Sequence, residues 1–376
     1  MKSSKQFLLM ISLISFLFST IILNSCKSES PTEIINGDNN LLKDSILIGG
    51  EFKITGNDSI SNIALWDGKT WKAFGKEITG QNSFIGCMAF YNGEIYVGGK
   101  IDLGNGLPVQ YIAKWDGKNW TDVGGGINGA VRDLVIYKNE LYVAGWFSNA
   151  GGLKADNIAK WNGVAWTPVG EGFSDEVYTL CIYNNELYAG GWFNKNNYGY
   201  VNANNIARWN GVKWDSVGSG VNSGSWVMTL GVFNNELYAT GKFSKCGNIS
   251  VSNIARWNNS NWQSVGNVSL SNRTYSIANY KNELHIAGEE SSNISDNIPY
   301  YMVWNGSNWN NNVFTFNGNG QVISLCSSKN YLYVGGSFNS VNSKTVNGIF
   351  KWDGTNIQSL DLGVQGYVSS ILILNE

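Results

Sequence analysis

Histidine occurs once in these 376 residues, proline four times and cysteine five times, and only 14% of residues are charged. A single histidine leaves no His/Cys or His/carboxylate spacing for a metal centre, and no CxxC pair is present. There is no Gly-x-Ser-x-Gly nucleophile elbow and no phosphate loop. Lysine and arginine number 26 against 28 acidic residues and form no run, which argues against a nucleic-acid partner. What the chain has instead is aromatic residues (13%), 45 glycines and many asparagines. Low charge with abundant aromatics and turn formers is the profile of an exported β-protein rather than of a disordered chain.

The aromatic residues are periodic. About every 48 residues a segment such as Asn157-Ile-Ala-Lys-Trp-Asn-Gly-Val-Ala-Trp-Thr-Pro-Val-Gly170 recurs, led by Trp66, Trp115, Trp161, Trp209, Trp257, Trp304 and Trp352. Short repeats of this kind cannot bury their faces alone, so copies must stack. Each copy reads as four strands, here a to d: Val177–Tyr183, Glu186–Phe193, Asn205–Trp209 and Lys213–Val217 in one repeat. Asx-Gly between c and d (Asp67-Gly68, Asn210-Gly211) readily takes the positive φ of a tight hairpin. Asn92-Gly93, Asn184-Asn185 and Asn234-Asn235 do the same between a and b. Pairs such as Trp115 and Trp120 should then meet across the c–d turn.

The two ends are out of phase by one strand. Asp44–Phe52 is a strand b without its a, and Tyr367–Leu374 is a strand a without its b. The expected fold is therefore all-β: a seven-bladed propeller of four-stranded antiparallel blades, closed when the C-terminal strand a joins the N-terminal strands b, c and d. An open array would leave two exposed sheet edges.

The order of an apolar strand, Gly-Gly, an aromatic and then tryptophan resembles the kelch repeat of galactose-oxidase-like propellers. Gly49-Gly50, Gly98-Gly99, Gly190-Gly191 and Gly335-Gly336 match its diglycine. Trp66 and its equivalents stand where kelch has tyrosine, and Trp71 and its equivalents where it has tryptophan. The wording Asn-Ile-Ala-Lys/Arg-Trp-Asn/Asp-Gly is also similar to the propeller repeat of secreted bacterial proteins and of fungal cortical-marker proteins. The resemblance covers residues 44–376 and implies a fold, not an activity. The copper chemistry of galactose oxidase needs two histidines, so it does not carry over.

Residues 1–25 read as an export signal: Lys2 and Lys5, the apolar stretch Phe7 to Leu23, then Leu23-Asn24-Ser25-Cys26, which resembles a lipobox. A membrane-spanning anchor is the competing reading of the apolar stretch. Cys26 would become the lipidated first residue, with 26–43 a polar tether and Lys27, rather than aspartate, favouring passage to the outer membrane. The expected location is a lipid-anchored, exported envelope protein, at the outer membrane or cell surface, touching the membrane only through the lipid. Losing Lys2 and Lys5 leaves 24 basic against 28 acidic residues. The remaining cysteines, Cys87, Cys181, Cys246 and Cys326, are expected to be unpaired, the first, second and fourth as buried small hydrophobes.

Variation concentrates in the b–c and d–a loops, which emerge on one face, so a binding surface is expected there. In Gly-Gly-x-Phe most repeats place Glu51, Lys100, Lys242 or Ser337 at x, but two adjacent repeats place Trp146 and Trp192. With Tyr198, Tyr200 and Trp226 these make a candidate rim platform for sugar rings or a partner's apolar side chains; the alternative is that the tryptophans wedge between repeats as core. A second series, Gly86, Asp133, Thr179, Thr229, Ser276, Ser324 and Ser370, precedes the apolar residue of strand a. It suits a water-filled channel in which Asp133, the only charge, holds a cation or a water. His285 occupies a tyrosine position. Glu171, Asp175, Glu289 and Glu290 are the carboxylates available to a glycoside-cleaving pair. No cofactor is expected. The functional expectation is a non-catalytic module binding a glycan or an envelope or extracellular protein, with a carbohydrate-active enzyme or a structural envelope protein as alternatives.

Overall fold

A computed structural model describes residues 44–54, 60–75, 78, 83–101, 110–194, 203–268, 270–271, 273–290, 298–317 and 319–374. The leader, Cys26 and the tether lie outside the described residues, as do Tyr198 and Tyr200. Among the described residues there is no helix, and seven four-stranded antiparallel sheets are present. Repetition of such sheets fits a β-propeller. Each sheet is named here by its leading tryptophan.

The Trp209 sheet runs Val177–Tyr183, Glu186–Gly191, Ile206–Trp209 and Trp214–Ser216, in sequence order across the sheet. The Trp115, Trp161, Trp257, Trp304 and Trp352 sheets repeat that order. The Trp66 sheet is assembled from both ends of the chain: Ile46–Ile54 pairs with Ile60–Trp66 on one side and with the C-terminal strand Gln365–Ile373 on the other. Leu47 faces Leu372 and Ile48 faces Ile371 in that register. The a strands also follow one another in space, from Phe84–Tyr91 through the successive sheets to Gln365–Ile373, which again lies against Phe84–Tyr91. Sequence reading missed three short hairpins inside the b–c loops, at Asn149–Lys154, Lys245–Ser250 and Ser340–Thr345.

The two turns of each sheet differ in chemistry. In five of the a–b turns both central residues take positive φ (Asn184 at 49° and Asn185 at 61°), as expected of asparagine in a two-residue hairpin, whereas the Ser328–Tyr331 connection of the Trp352 sheet has none. The c–d turns depart from that expectation. Only the second residue is left-handed there, glycine in six turns (Gly68 at 99°) and Asn259 at 75° in the seventh, and the preceding Asx closes a four-residue loop with its own side chain. Asp67 Oδ1 accepts the N–H groups of Lys69 and Thr70 at 2.9 and 2.8 Å. The same pair of bonds recurs at Asp116, Asn162, Asn210, Asn258, Asn305 and Asp353. An Asx turn satisfies backbone donors that a longer loop would leave unpaired.

Neighbouring sheets are joined by repeated ties. The tryptophan that opens strand d donates its indole N–H to a carbonyl of the preceding sheet: Trp166 to Val123, Trp214 to Val169, Trp262 to Val217, Trp309 to Val265 and Trp71 to Leu360, at 2.7–3.1 Å. Tyr91, Tyr137, Tyr183 and Tyr280 donate their hydroxyls to carbonyls of the next sheet's a–b turn, at Asn139, Asn185, Asn235 and Asn330. The leading tryptophan stacks on a glycine of the sheet before it. A Cβ at Gly75, Gly124, Gly170, Gly218 or Gly266 would come within 2.4–3.1 Å of that ring. The two tryptophans of each hairpin pair at centroid distances of 5.1–5.4 Å, as the short turn predicts. The asparagine of Asn-Ile-Ala is a latch as well. At positive φ, Asn62, Asn157 and Asn253 each donate a side-chain amide to the carbonyl of Ile78, Phe173 or Leu270 in the loop after strand d, and Asn347, one residue ahead of the equivalent Gly348, donates to Leu362. All four cysteines beyond the leader are buried, and none of them forms a disulfide among the described residues.

Candidate binding rim

The rim is created by one backbone irregularity repeated in every sheet. Strand a carries a register shift against strand b, between Val131 and Asp133, Val177 and Thr179, and at the equivalent places elsewhere. Such a bulge bends the strand and redirects its side chains. It also presses strand a onto the glycine before x. A Cβ at Gly50, Gly99, Gly145, Gly191, Gly241, Gly288 or Gly336 would lie 1.9–2.2 Å from a carbonyl oxygen of strand a. Glycine is therefore obligatory there, and the residue after it sits at the end of strand b beside the start of strand a.

The seven residues at that position are Glu51, Lys100, Trp146, Trp192, Lys242, Glu289 and Ser337. Trp146 is 64% exposed and Trp192 51%, so neither is a wedge between sheets. The following residue, Phe147 or Phe193, is buried and fills that role. Trp146 is cross-strand to Ala130, whose methyl leaves its ring uncovered on that side. Trp192 N–H donates to the Glu176 carbonyl at 2.8 Å. Between the two sheets Arg132 Nε donates to Glu176 Oε1 at 2.6 Å. Two exposed indoles thus flank an inter-sheet ion pair. Trp226 differs: it is half-buried, Lys242 Nζ lies 4.8 Å over its ring, and its indole N–H is buried with no partner among the described residues.

Beyond Trp192 a cleft of about 340 Å³ opens toward the Trp257 sheet, lined by Trp192, Asn204, Asn222, the Ser219–Ser225 loop and Lys245. Its amides hold its walls in place. Asn222 Oδ1 accepts the N–H groups of Ser244 and Lys245 at 3.0 and 2.9 Å, and Asn204 Nδ2 donates to the Ser219 carbonyl at 2.9 Å. One indole face beside fixed carboxamides and hydroxyls is chemistry suited to a sugar ring. No carboxylate lines the cleft among the described residues.

The carboxylates proposed for catalysis do not assemble at this cleft. Glu289 is fully buried, bound by Arg273, with which it is cross-strand, and by Gln321 of the next sheet. It occupies the x position, which sequence reading overlooked because Glu290 replaces the phenylalanine that marks the motif. Glu290 and Glu171 are exposed, and Asp175 Oδ1 accepts the Glu176 N–H. His285 is buried among Tyr280, Tyr301 and Trp352. Its Nε2 faces the Tyr280 carbonyl at 3.3 Å and must carry the proton, so Nδ1 accepts from the Tyr301 hydroxyl at 2.5 Å. Burial holds its pKa down at about 4, and this neutral ring is a packing element.

The polar series on strand a is an inter-sheet latch. Asp133 Oδ1 and Oδ2 accept the N–H groups of Leu134 and, in the next sheet, Leu180, at 2.8 and 2.7 Å. Thr179 Oγ1 accepts Leu230 N–H at 3.4 Å, and Ser276 Oγ accepts Leu325 N–H at 3.0 Å. The register places Cys87 at this position in the Trp115 sheet, and Gly86 is the extra residue of the bulge, so the expected series was one residue out there. Burial pushes the Asp133 carboxyl up to about 7, against the lowering pull of its hydrogen bonds from Leu180, Leu134 and Thr179. Asp133 keeps a narrow strip of contact with water, which tempers that burial. No group of three or more His, Cys, Asp or Glu side chains gathers among the described residues.

No protein-family model and no curated protein matches the chain. Among solved structures, the computationally designed Ika8 protein aligns over 78% of this chain and 91% of its own at 14% identity, with a TM-score of 0.47. YjhT aligns over 74% and 96% at 13% identity and a TM-score of 0.43. The extracellular domain of a proposed one-component system, BT4673 from B. thetaiotaomicron, aligns over 86% and 46% at 12% identity and 0.37. Likeness this remote leaves function to be argued from the chain's own geometry.

Proposed function

We propose that this chain is a lipid-anchored, kelch-like propeller of seven blades, sealed by its C-terminal strand, whose rim binds an oligosaccharide without cleaving it. The observation that carries the reading is the exposure of Trp146 and Trp192, at 64% and 51%, beside a cleft walled by amides and hydroxyls. Large aromatic faces left in water are costly unless a ligand covers them. The Trp161, Trp209 and Trp257 sheets stand in succession, so indole, ion pair, indole and cleft follow one another along the rim, as successive sugar rings would. The absence of any carboxylate from the described cleft lining favours binding over hydrolysis. The seal draws support from the Leu47–Leu372 register and the Trp71 indole bond to Leu360.

A glycan array probed with the full chain tests the binding reading. Selective retention of oligosaccharides, lost in Trp192→Ala at unchanged melting temperature, is the expected result; no retention, or retention indifferent to Trp192, overturns it. Lipid anchoring is tested by labelled fatty-acid incorporation, expected in the wild type and absent from Cys26→Ser.

A further inference from the structure

About half of the cationic side chains among the described residues pair with a carboxylate. Lys114, Lys160, Arg208 and Arg256 occupy one repeated position on strand c, each paired with the glutamate that opens strand b: Glu94, Glu140, Glu186 and Glu236. Arg132 pairs with Glu176 and Arg273 with Glu289. The loop bordering the cleft belongs to the other half. Lys242 and Lys245 are both exposed, and neither has a carboxylate partner among the described residues. Lys245 lines the cleft itself, as Trp192 does, in a described lining otherwise of uncharged groups. Lys242 lies over the Trp226 ring, and Ser225, one residue before Trp226, also lines the cleft.

A cleft whose described lining holds one ammonium group and no carboxylate, on a chain of net charge −2, has a local polarity opposite to that of the molecule. Resting on the binding reading above, we propose that the occupant is an anionic glycan, with a ring seated on Trp192 and its carboxylate or sulfate facing Lys245. Lysine is a strongly hydrated point charge with three rotatable donors, so it selects for negative charge rather than for planar bidentate geometry. Lys242 adds to the field without being freed from Trp226.

The test titrates the full chain by calorimetry with a neutral hexose oligosaccharide, a matched hexuronate oligosaccharide and a sulfated one, at low and high salt. The wild type should bind one or both charged ligands about tenfold more tightly than the neutral one, an advantage that shrinks as salt screens it. Lys245→Gln should remove most of that advantage, weakening the charged ligands far more than the neutral one. Trp192→Ala should weaken all of them. Equal affinity for charged and neutral ligands, or a charge preference untouched by Lys245→Gln, would sink the anionic inference and leave the binding reading standing. Failure of every ligand to bind overturns both. An unchanged melting temperature of Lys245→Gln, expected of an exposed side chain, ties any loss to the site.

Discussion

Within the Trp161 sheet, Trp166 is 5% exposed and donates its indole N–H to the Val123 carbonyl at 2.7 Å, whereas Trp146, two strands away, has 64% of its surface in water. Trp166 has a counterpart in almost every repeat; Trp146 is matched only by Trp192. The difference lies in what each position must do. The start of strand d meets the previous sheet and needs a large apolar body with one donor, which tryptophan supplies. The position after the bulge glycine meets solvent, and glutamate, lysine or serine serves there equally well for folding. An indole at a place the fold leaves unconstrained is therefore a candidate for function, and an indole at a place the fold constrains is architecture.

Substituting one of each pair should separate these roles. Trp166→Ala deletes a buried ring and an inter-sheet hydrogen bond, and a loss of about 3–5 kcal/mol is expected from chemical denaturation. Trp146→Ala with Trp192→Ala should shift stability by no more than about 0.5 kcal/mol, as for surface changes generally. The same double change should cost on the order of a hundredfold in oligosaccharide affinity, because both stacking faces go at once. A melting temperature that fell with the double change would place these rings in the core and end the comparison.

Glu289 sharpens the contrast, since it shares the rim position of Trp146 and yet is buried. Its carboxylate is engaged by Arg273 and Gln321, so Glu289→Ala strands two partners. Arg273 is 42% exposed and can be rehydrated, which limits the expected destabilisation to about 1–2 kcal/mol. Thermal melts of Glu289→Ala beside Trp146→Ala would show whether one rim position carries both structural and free side chains. Equal, negligible shifts in the two would mean that Glu289 is not a tie between sheets.

What could be read in advance follows the same division. The seven leading tryptophans, the a–b turns and the complementary ends at Leu47 and Leu372 are local patterns, each dictated by a short stretch of chain. Glu289 escaped because Ala287-Gly288-Glu289-Glu290 lacks the marker phenylalanine. Gly86 was placed one residue out because a bulge adds a residue without leaving a compositional mark. The c–d turns were read as tight hairpins because Asx-Gly serves two turn geometries, and only the side-chain oxygen of Asp67 decides between them. The cleft was invisible for a different reason: Trp192, Asn204, Asn222 and Lys245 belong to loops whose meeting depends on how two sheets pack.

A last comparison sets Asp133 beside Thr179, its counterpart in the next sheet. Both accept a backbone N–H across a sheet boundary, Leu180 and Leu230 respectively, but only Asp133 can ionise. Its pKa rises from an ordinary 3.8 to about 7 on folding, so the native state holds the proton more tightly than the unfolded chain. The resulting stabilisation is complete below about pH 4. It declines as the unfolded carboxylate ionises, and is gone once the native one ionises too, above about pH 7. Asp133→Thr keeps one acceptor for the latch and removes the titration. The stability of wild type relative to Asp133→Thr should therefore fall between pH 4 and pH 8 by about 1–3 kcal/mol, the range reflecting the residual water contact of Asp133. Urea melts of both proteins at intervals of pH would measure it. A difference that stayed flat with pH would mean that the carboxylate is charged in the folded protein, and that water, not the Leu180 amide alone, holds it there.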